Sequence, residues 1–136
     1  MPHIFTYGSL MFDPVWTGVV DCSYDRCEAI LHGYDRKEIR GEIYPAIVPS
    51  SEHSQVRGML YLDVSAEDLA KLDRFEGDYY FRKSEPVATR DTAIIFAEVY
   101  VLKEEYYPII SHRNWDPVHF RTTGIHLFIH RFTGKK

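Results

Sequence analysis

Between Val64 and Gly77 the apolar positions recur at the spacing of one helix face. Leu69, Leu72 and Glu76 share a stripe at 3.6 residues per turn, with Phe75 beside it. Ser65 is a natural N-cap, and Asp68, three residues on, completes a capping-box pattern. Val64 and Leu69 have the spacing of a hydrophobic staple. Gly77 supplies a left-handed stop. The spacing therefore predicts a helix over 65–76, with solvated acids such as Glu67 on its outer side. One residue breaks the pattern. A carboxylate that continues an apolar stripe, as Glu76 does, either sits at a frayed helix end or is held against a pocket.

Elsewhere the dominant period is two. His3–Tyr7 reads as a first strand, ended by Gly8-Ser9-Leu10. Asp13-Pro14 opens a short helix whose apolar side is Val15, Trp16, Val19 and Val20. Cys27–Ile39 is extended and interrupted at Gly33, and Pro45 marks the apolar run Ile43–Pro49 as an edge or a bulge. Val56–Val64, Tyr80–Val87 and Ala93–Leu102 read as three further strands. Asp116-Pro117 opens a last helical segment to about Phe132, weakened at Gly124, and the tail beyond reads as mobile. The order predicts an α+β fold, a small mixed β-barrel with flanking helices, in a single domain over 1–136.

Composition narrows the function. The net charge is −4, and no basic run exists beyond Lys135-Lys136, so there is no footprint for nucleic acid. No apolar run approaches the roughly 20 residues of a membrane span. The N-terminus enters a strand without a signal-peptide layout, and Cys22 and Cys27 fit neither zinc nor redox spacing. These readings place two reduced thiols in a cytoplasmic protein. His126 and His130 have the spacing of a metal pair, with His119 near the same face. No H-E-x-x-H glutamate and no further ligand accompany them, so no metal is expected there. His112 and Trp115 fall in a turn-like approach to the last helix and are accounted for by packing. Ten Tyr and eight Phe suit an aromatic-lined cleft.

Two stretches carry candidate chemistry. Tyr7-Gly8-Ser9-Leu10 ends the first strand; its glycine lets the backbone approach a ligand, and consecutive N–H groups there can form an anion nest. The plain alternative is a strand followed by a tight turn. Ser9 lies in no G-x-S-x-G elbow, which argues against a serine hydrolase. Asp73–Arg82 reads mainly as solvated charge, with Arg82 the partner of a carboxylate, but Leu72 and Phe75 set Glu76 apart. Partial desolvation and the negative end of the helix dipole would raise its pKa, which makes a carboxylate a useful base near neutral pH.

Phe5-Thr6-Tyr7-Gly8-Ser9-Leu10, Tyr44-Pro45-Ala46-Ile47-Val48-Pro49, Gly58-Met59-Leu60-Tyr61 and Leu72-Asp73-Arg74-Phe75-Glu76-Gly77, followed by Tyr80-Phe81-Arg82, occur in that order. Together they resemble the γ-glutamylcyclotransferase-like family, closest to its AIG2-like branch, over the first two-thirds of the chain. The resemblance implies a β-barrel with a cavity, substrate binding by Tyr7, Gly8, Ser9 and Leu10, and Glu76 as the acid/base. Tyr44, Pro45 and Tyr80 would be walls of the site, the two tyrosines offering hydroxyls. The expected reaction converts a γ-glutamyl amine or γ-glutamyl amino acid to 5-oxoproline and the free amine, without a cofactor. The alternatives are a non-catalytic module for small carboxylates, and an amide hydrolase or acyltransferase in the same pocket. The implied partner is a small γ-glutamyl molecule, with no nucleic acid or membrane; self-association is left open.

Overall fold

The computed structural model describes residues 1–132. Lys135-Lys136 and the tail expected to be mobile lie outside the described residues. Eight strands follow one another: β1 (Ile4–Thr6), β2 (Arg26–His32), β3 (Tyr34–Ile39), β4 (Pro45–Pro49), β5 (Gln55–Tyr61), β6 (Tyr80–Thr89), β7 (Ile94–Leu102) and β8 (Ile110–Asn114). Five close into a barrel in the order β1-β5-β2-β6-β7. Every pairing in it is antiparallel except the closing one, where β7 runs parallel to β1 with Phe5 opposite Val99. The mixed barrel expected from the sequence is thus present. A second sheet, β4-β3-β8, branches from it where the chain turns at Gly33. Pro45 opens an outer strand of that sheet, a place where its missing N–H costs no ladder bond. Residues 110–114 form a strand and not a turn, because β8 pairs with β3 far back in the chain.

Phe5, Leu31, Leu60, Val87 and Val99, one from each barrel strand, share a single cluster and fill the barrel. Their neighbours Ile4, Tyr61 and Tyr100 face the other way, into a second cluster. Its cover comes from α1 (Asp13–Val19), α2 (Ala66–Glu76) and a terminal helical segment. Trp16 of α1 stacks on Tyr61 at 3.6 Å between centroids. Leu72 of α2 is fully buried, a burial that stabilises by roughly 1.5–3 kcal/mol.

α2 begins as its sequence predicts: the Ser65 hydroxyl accepts the Asp68 N–H at 3.2 Å. Asp68 itself does not face solvent. Its carboxylate accepts the Asp21 and Cys22 N–H groups and the Tyr24 hydroxyl, at 3.0, 3.1 and 2.6 Å. Burial opposes its charge, but these donors and Lys71 outweigh it and hold the carboxyl below its usual range. The capping box is therefore half made, with the acid spent on fastening the loop after α1. At the other end Gly77 takes φ 78° and ψ −159°. That is not a left-handed helical residue but a region open essentially to glycine alone, and it sends the chain from α2 straight into β6.

The terminal segment comprises α3 (Pro117–His119), a wide π turn (Phe120–Gly124) and α4 (Ile125–Phe132). Asp116 caps it by accepting the Val118 N–H at 2.9 Å, and Gly124, expected as its weak point, ends the π turn. His119, His126 and His130 are exposed, and no cluster of potential metal ligands exists among the described residues. Both cysteines are free thiols.

Candidate active site

A cleft opens where β1, β4, α2 and the terminal helix meet, enclosing about 610 Å³ of non-protein space, open solvent at its mouth included. Tyr7, Gly8, Ser9 and Leu10 line it, and so do Tyr44, Pro45, Glu76 and Tyr80. All eight residues expected from the sequence therefore line one cavity. Phe5, Thr6, Phe75, Tyr100 and Phe128 line it as well. Among the described lining residues Glu76 is the single carboxylic acid, and none is basic.

Each wall is tied down by bonds that cross the fold. Gly8 starts a 3₁₀ turn, Ser9–Met11, whose internal bonding begins with the Met11 N–H on the Gly8 carbonyl at 3.0 Å. The Ser9 and Leu10 N–H groups precede that first bond and lie outside the turn's own ladder. Arg36 of β3 donates to the Tyr7 carbonyl at 2.8 Å and lies over the Trp115 ring at 5.3 Å, so the second sheet fixes the entry to the turn. Trp115 in turn donates to the Ile43 carbonyl at 3.0 Å, just ahead of Tyr44 and Pro45.

Two expectations are corrected here. The space where a Gly8 side chain would stand is filled by Pro45, whose Cγ and Cδ are each 2.9 Å from an ideal Cβ. The glycine serves close packing of the turn on β4 before it serves any ligand. The Tyr80 hydroxyl, expected to be on offer in the cleft, donates instead to the Pro45 carbonyl at 2.8 Å. The Tyr7 hydroxyl donates to the Tyr100 carbonyl at 2.6 Å. For these two tyrosines the hydroxyl protons are committed, and the rings line the cleft.

Glu76 occupies the last turn of α2 and is half-buried. Among the described residues its carboxyl makes no hydrogen bond or ion pair, so its oxygens open onto the cavity. Burial, and then the nearby charge of Asp73, push its pKa up to about 8. The reverse influence is visible too: burial first, and the Glu76 charge among the further causes, raise Tyr7, Tyr80 and Tyr100. Asp73 is not merely solvated. It accepts the Tyr100 hydroxyl at 2.6 Å and Arg82 Nε at 3.0 Å, and Arg82 reaches on to Glu98 at 2.7 Å. This network braces the outer side of the helix whose inner side carries Glu76.

Tyr100, Arg36 and Phe128 were not foreseen as parts of the site. Tyr100 lies in a strand that is apolar on both faces apart from Glu98, so alternation gives no sign of its role. Phe128 comes from the terminal segment, which lies beyond the stretches that carry the family resemblance.

The arrangement can hold a small molecule between backbone donors and one raised carboxyl. A family model described as gamma-glutamyl cyclotransferase, AIG2-like, matches residues 4–117. The chain belongs to the AIG2-like gamma-glutamyl cyclotransferase family. Protein AIG2 C of Arabidopsis thaliana is 31% identical to this member over 131 residues, 96% of this chain and 78% of that protein. Other Arabidopsis AIG2 relatives are matched over little more than half of their length. A protein of Arabidopsis thaliana solved in solution superposes with a TM-score of 0.74 at 29% identity, over 98% of this chain and 81% of that one. A yeast gamma-glutamyl cyclotransferase specific to glutathione superposes with a TM-score of 0.63 at 13% identity, over 84% of this chain and 75% of its own. That last likeness is one of fold alone. No helix among the described residues is long and apolar enough to cross a membrane.

Proposed function

We propose that this member of the family is a γ-glutamyl cyclotransferase with Glu76 as its general acid/base. The observation that carries the reading is the Glu76 carboxyl, without a hydrogen-bond or ion-pair partner among the described residues, opening onto an aromatic cleft that the Tyr7–Leu10 turn also lines, with its pKa pushed up to about 8. A γ-glutamyl amide brings its own nucleophile. Its α-amine attacks the side-chain carbonyl carbon, the new ring C–N bond forms, and the bond to the departing amine breaks. Because the attack is intramolecular, a pocket that folds the substrate supplies much of the acceleration. The remaining task is proton transfer. The α-amine enters as an ammonium, the Glu76 carboxylate takes one proton from it, and the carboxylic acid so formed gives that proton to the leaving nitrogen; the second proton, shed by the ring nitrogen as the lactam forms, is carried off by the departing amine, which leaves as an ammonium and restores the carboxylate. A carboxyl raised toward the range of an amine makes the first transfer nearly balanced.

No basic side chain lines the described cleft, so the substrate carboxylate and the developing oxyanion fall to backbone donors. The Gly8, Ser9 and Leu10 N–H groups are our choice, and loss of one such donor costs on the order of 3 kcal/mol. Tyr44 and Tyr80 then serve as aromatic walls. The partner is a small γ-glutamyl molecule, and the cytoplasm, where such compounds and reduced thiols occur together, is its proposed compartment.

Incubation with a panel of γ-glutamyl amines and γ-glutamyl amino acids tests the reading. Release of 5-oxoproline with a free amine supports cyclisation. Glutamate in its place identifies a hydrolase, and binding without turnover identifies a carboxylate-binding module.

A further inference from the structure

The aromatic wall supplied by the terminal helix has no part in the proton transfers. Phe128 of α4 is 3% exposed and lines the cleft. Its ring meets Phe75, Glu76's neighbour, at 5.8 Å between centroids, and Tyr44 at 6.1 Å, both edge-on. From behind it is held by Phe120 at 5.6 Å, and Phe120 is held by Trp115 and Phe12, each at 5.4 Å. The π turn explains how one segment supplies both rings. In an uninterrupted α-helix, residues eight apart diverge by about 80° around the axis. The wider turn from Phe120 to Gly124 takes up part of that divergence, and Phe120, Ile125 and Phe128 are all buried. The family model ends at residue 117, so this wall comes from chain beyond the matched stretch.

We infer that Phe128 is a specificity-determining residue that sets how large a departing amine the cleft accepts; the inference rests on the cyclotransferase reading. A glutamyl group carries an ammonium and a carboxylate, and both need polar partners once desolvated. Glu76 and the Ser9–Leu10 backbone offer them, whereas Phe75 and Phe128 offer none. The polar half of the substrate therefore lies toward the turn. The departing amine is left facing the wall of Tyr44, Phe75 and Phe128, and a rigid ring held from behind by Phe120 caps its size.

The test is a size series of probes: γ-glutamyl methylamide, γ-glutamyl butylamide and γ-glutamyl naphthylamide. The protein and its Phe128→Ala, Phe128→Leu and Leu127→Ala variants are compared by 5-oxoproline release and by calorimetric binding. Removing the ring raises the naphthylamide-to-methylamide ratio of kcat/KM by about tenfold or more, as expected for a wall that excludes bulk. Phe128→Leu falls between, and Leu127→Ala, on the exposed side of α4, leaves the ratio unchanged. An unchanged ratio in folded Phe128→Ala overturns the inference; if that variant does not fold, Phe128→Leu decides. Binding without 5-oxoproline from any probe would end the cyclotransferase reading alone. The binding ratios would then still decide whether Phe128 limits ligand size, a shift supporting the role and constancy refuting it. Neither binding nor turnover across the series would overturn both.

Discussion

Replacing Glu76 by Gln changes stability in a way that depends on pH, and the size of the effect follows from the site. The folded carboxyl has a pKa of about 8, against an ordinary value of 4.5. Between those values the folded protein holds a proton that the unfolded chain has released. Stability then falls as pH rises, by about 1.4 kcal/mol per pH unit, and levels off above the folded pKa. Over the window of about 3.5 units this amounts to roughly 5 kcal/mol, trimmed to about 3–5 kcal/mol because the carboxyl opens onto the cleft mouth. Gln cannot titrate, so its curve lacks this component. Urea unfolding of both proteins at intervals from about pH 5 to about pH 9 gives the difference between them, in which every other titrating group cancels to first order. The expected result is that Glu76→Gln gains on the native protein by a few kcal/mol across that range. Parallel curves would show an ordinarily solvated carboxyl and refute the reasoning, whatever the catalytic data say.

Three further outcomes follow from the same geometry. Gly8→Ala drives a methyl group into Pro45 at 2.9 Å; it costs about 1–3 kcal/mol in chemical denaturation, as overpacking does, and weakens ligand binding because the turn must shift. Asp68→Ala removes the acceptor of two backbone N–H groups and the Tyr24 hydroxyl, a loss of about 2–4 kcal/mol by urea unfolding. Since the folded Asp68 carboxyl is held low, its contribution is complete above the usual carboxylate range and lost as pH falls through the folded value, so the variant's deficit shrinks in acid. Asp73→Asn takes away the charge that adds to the burial of Glu76 and should lower the Glu76 pKa, read as a downward move of its carbonyl-carbon titration in NMR.

Local signals carried α2 and its flanks well. The Ser65 cap, the apolar stripe and Gly77 are all within one segment, and each shapes the helix through neighbours only a few residues away. The same holds for the Tyr7–Leu10 turn and for the hairpin of β6 and β7. What stayed hidden depends on contacts across the chain. β8 is a strand because β3 lies beside it, with Lys37 opposite Asn114. Asp68 looked like the acid of a capping box until the loop at Asp21 and Cys22 folded over it. Gly8 looked like room for a ligand until Pro45 took the space. The Tyr80 hydroxyl looked available to a ligand until the Pro45 carbonyl claimed its proton. In each case the residue type was legible and its partner was not, since pairing at long range leaves no periodic trace.

The most direct measurement is the pH dependence of 5-oxoproline release, kcat/KM, for the native protein and for Glu76→Gln. The reading predicts an ascending limb near pH 8, the value of the free carboxyl, and no release by the Gln variant at any pH although it still binds the γ-glutamyl substrate. A Gln variant that releases 5-oxoproline at the native rate, or a limb at the pKa of an ordinary solvated glutamate, would contradict it.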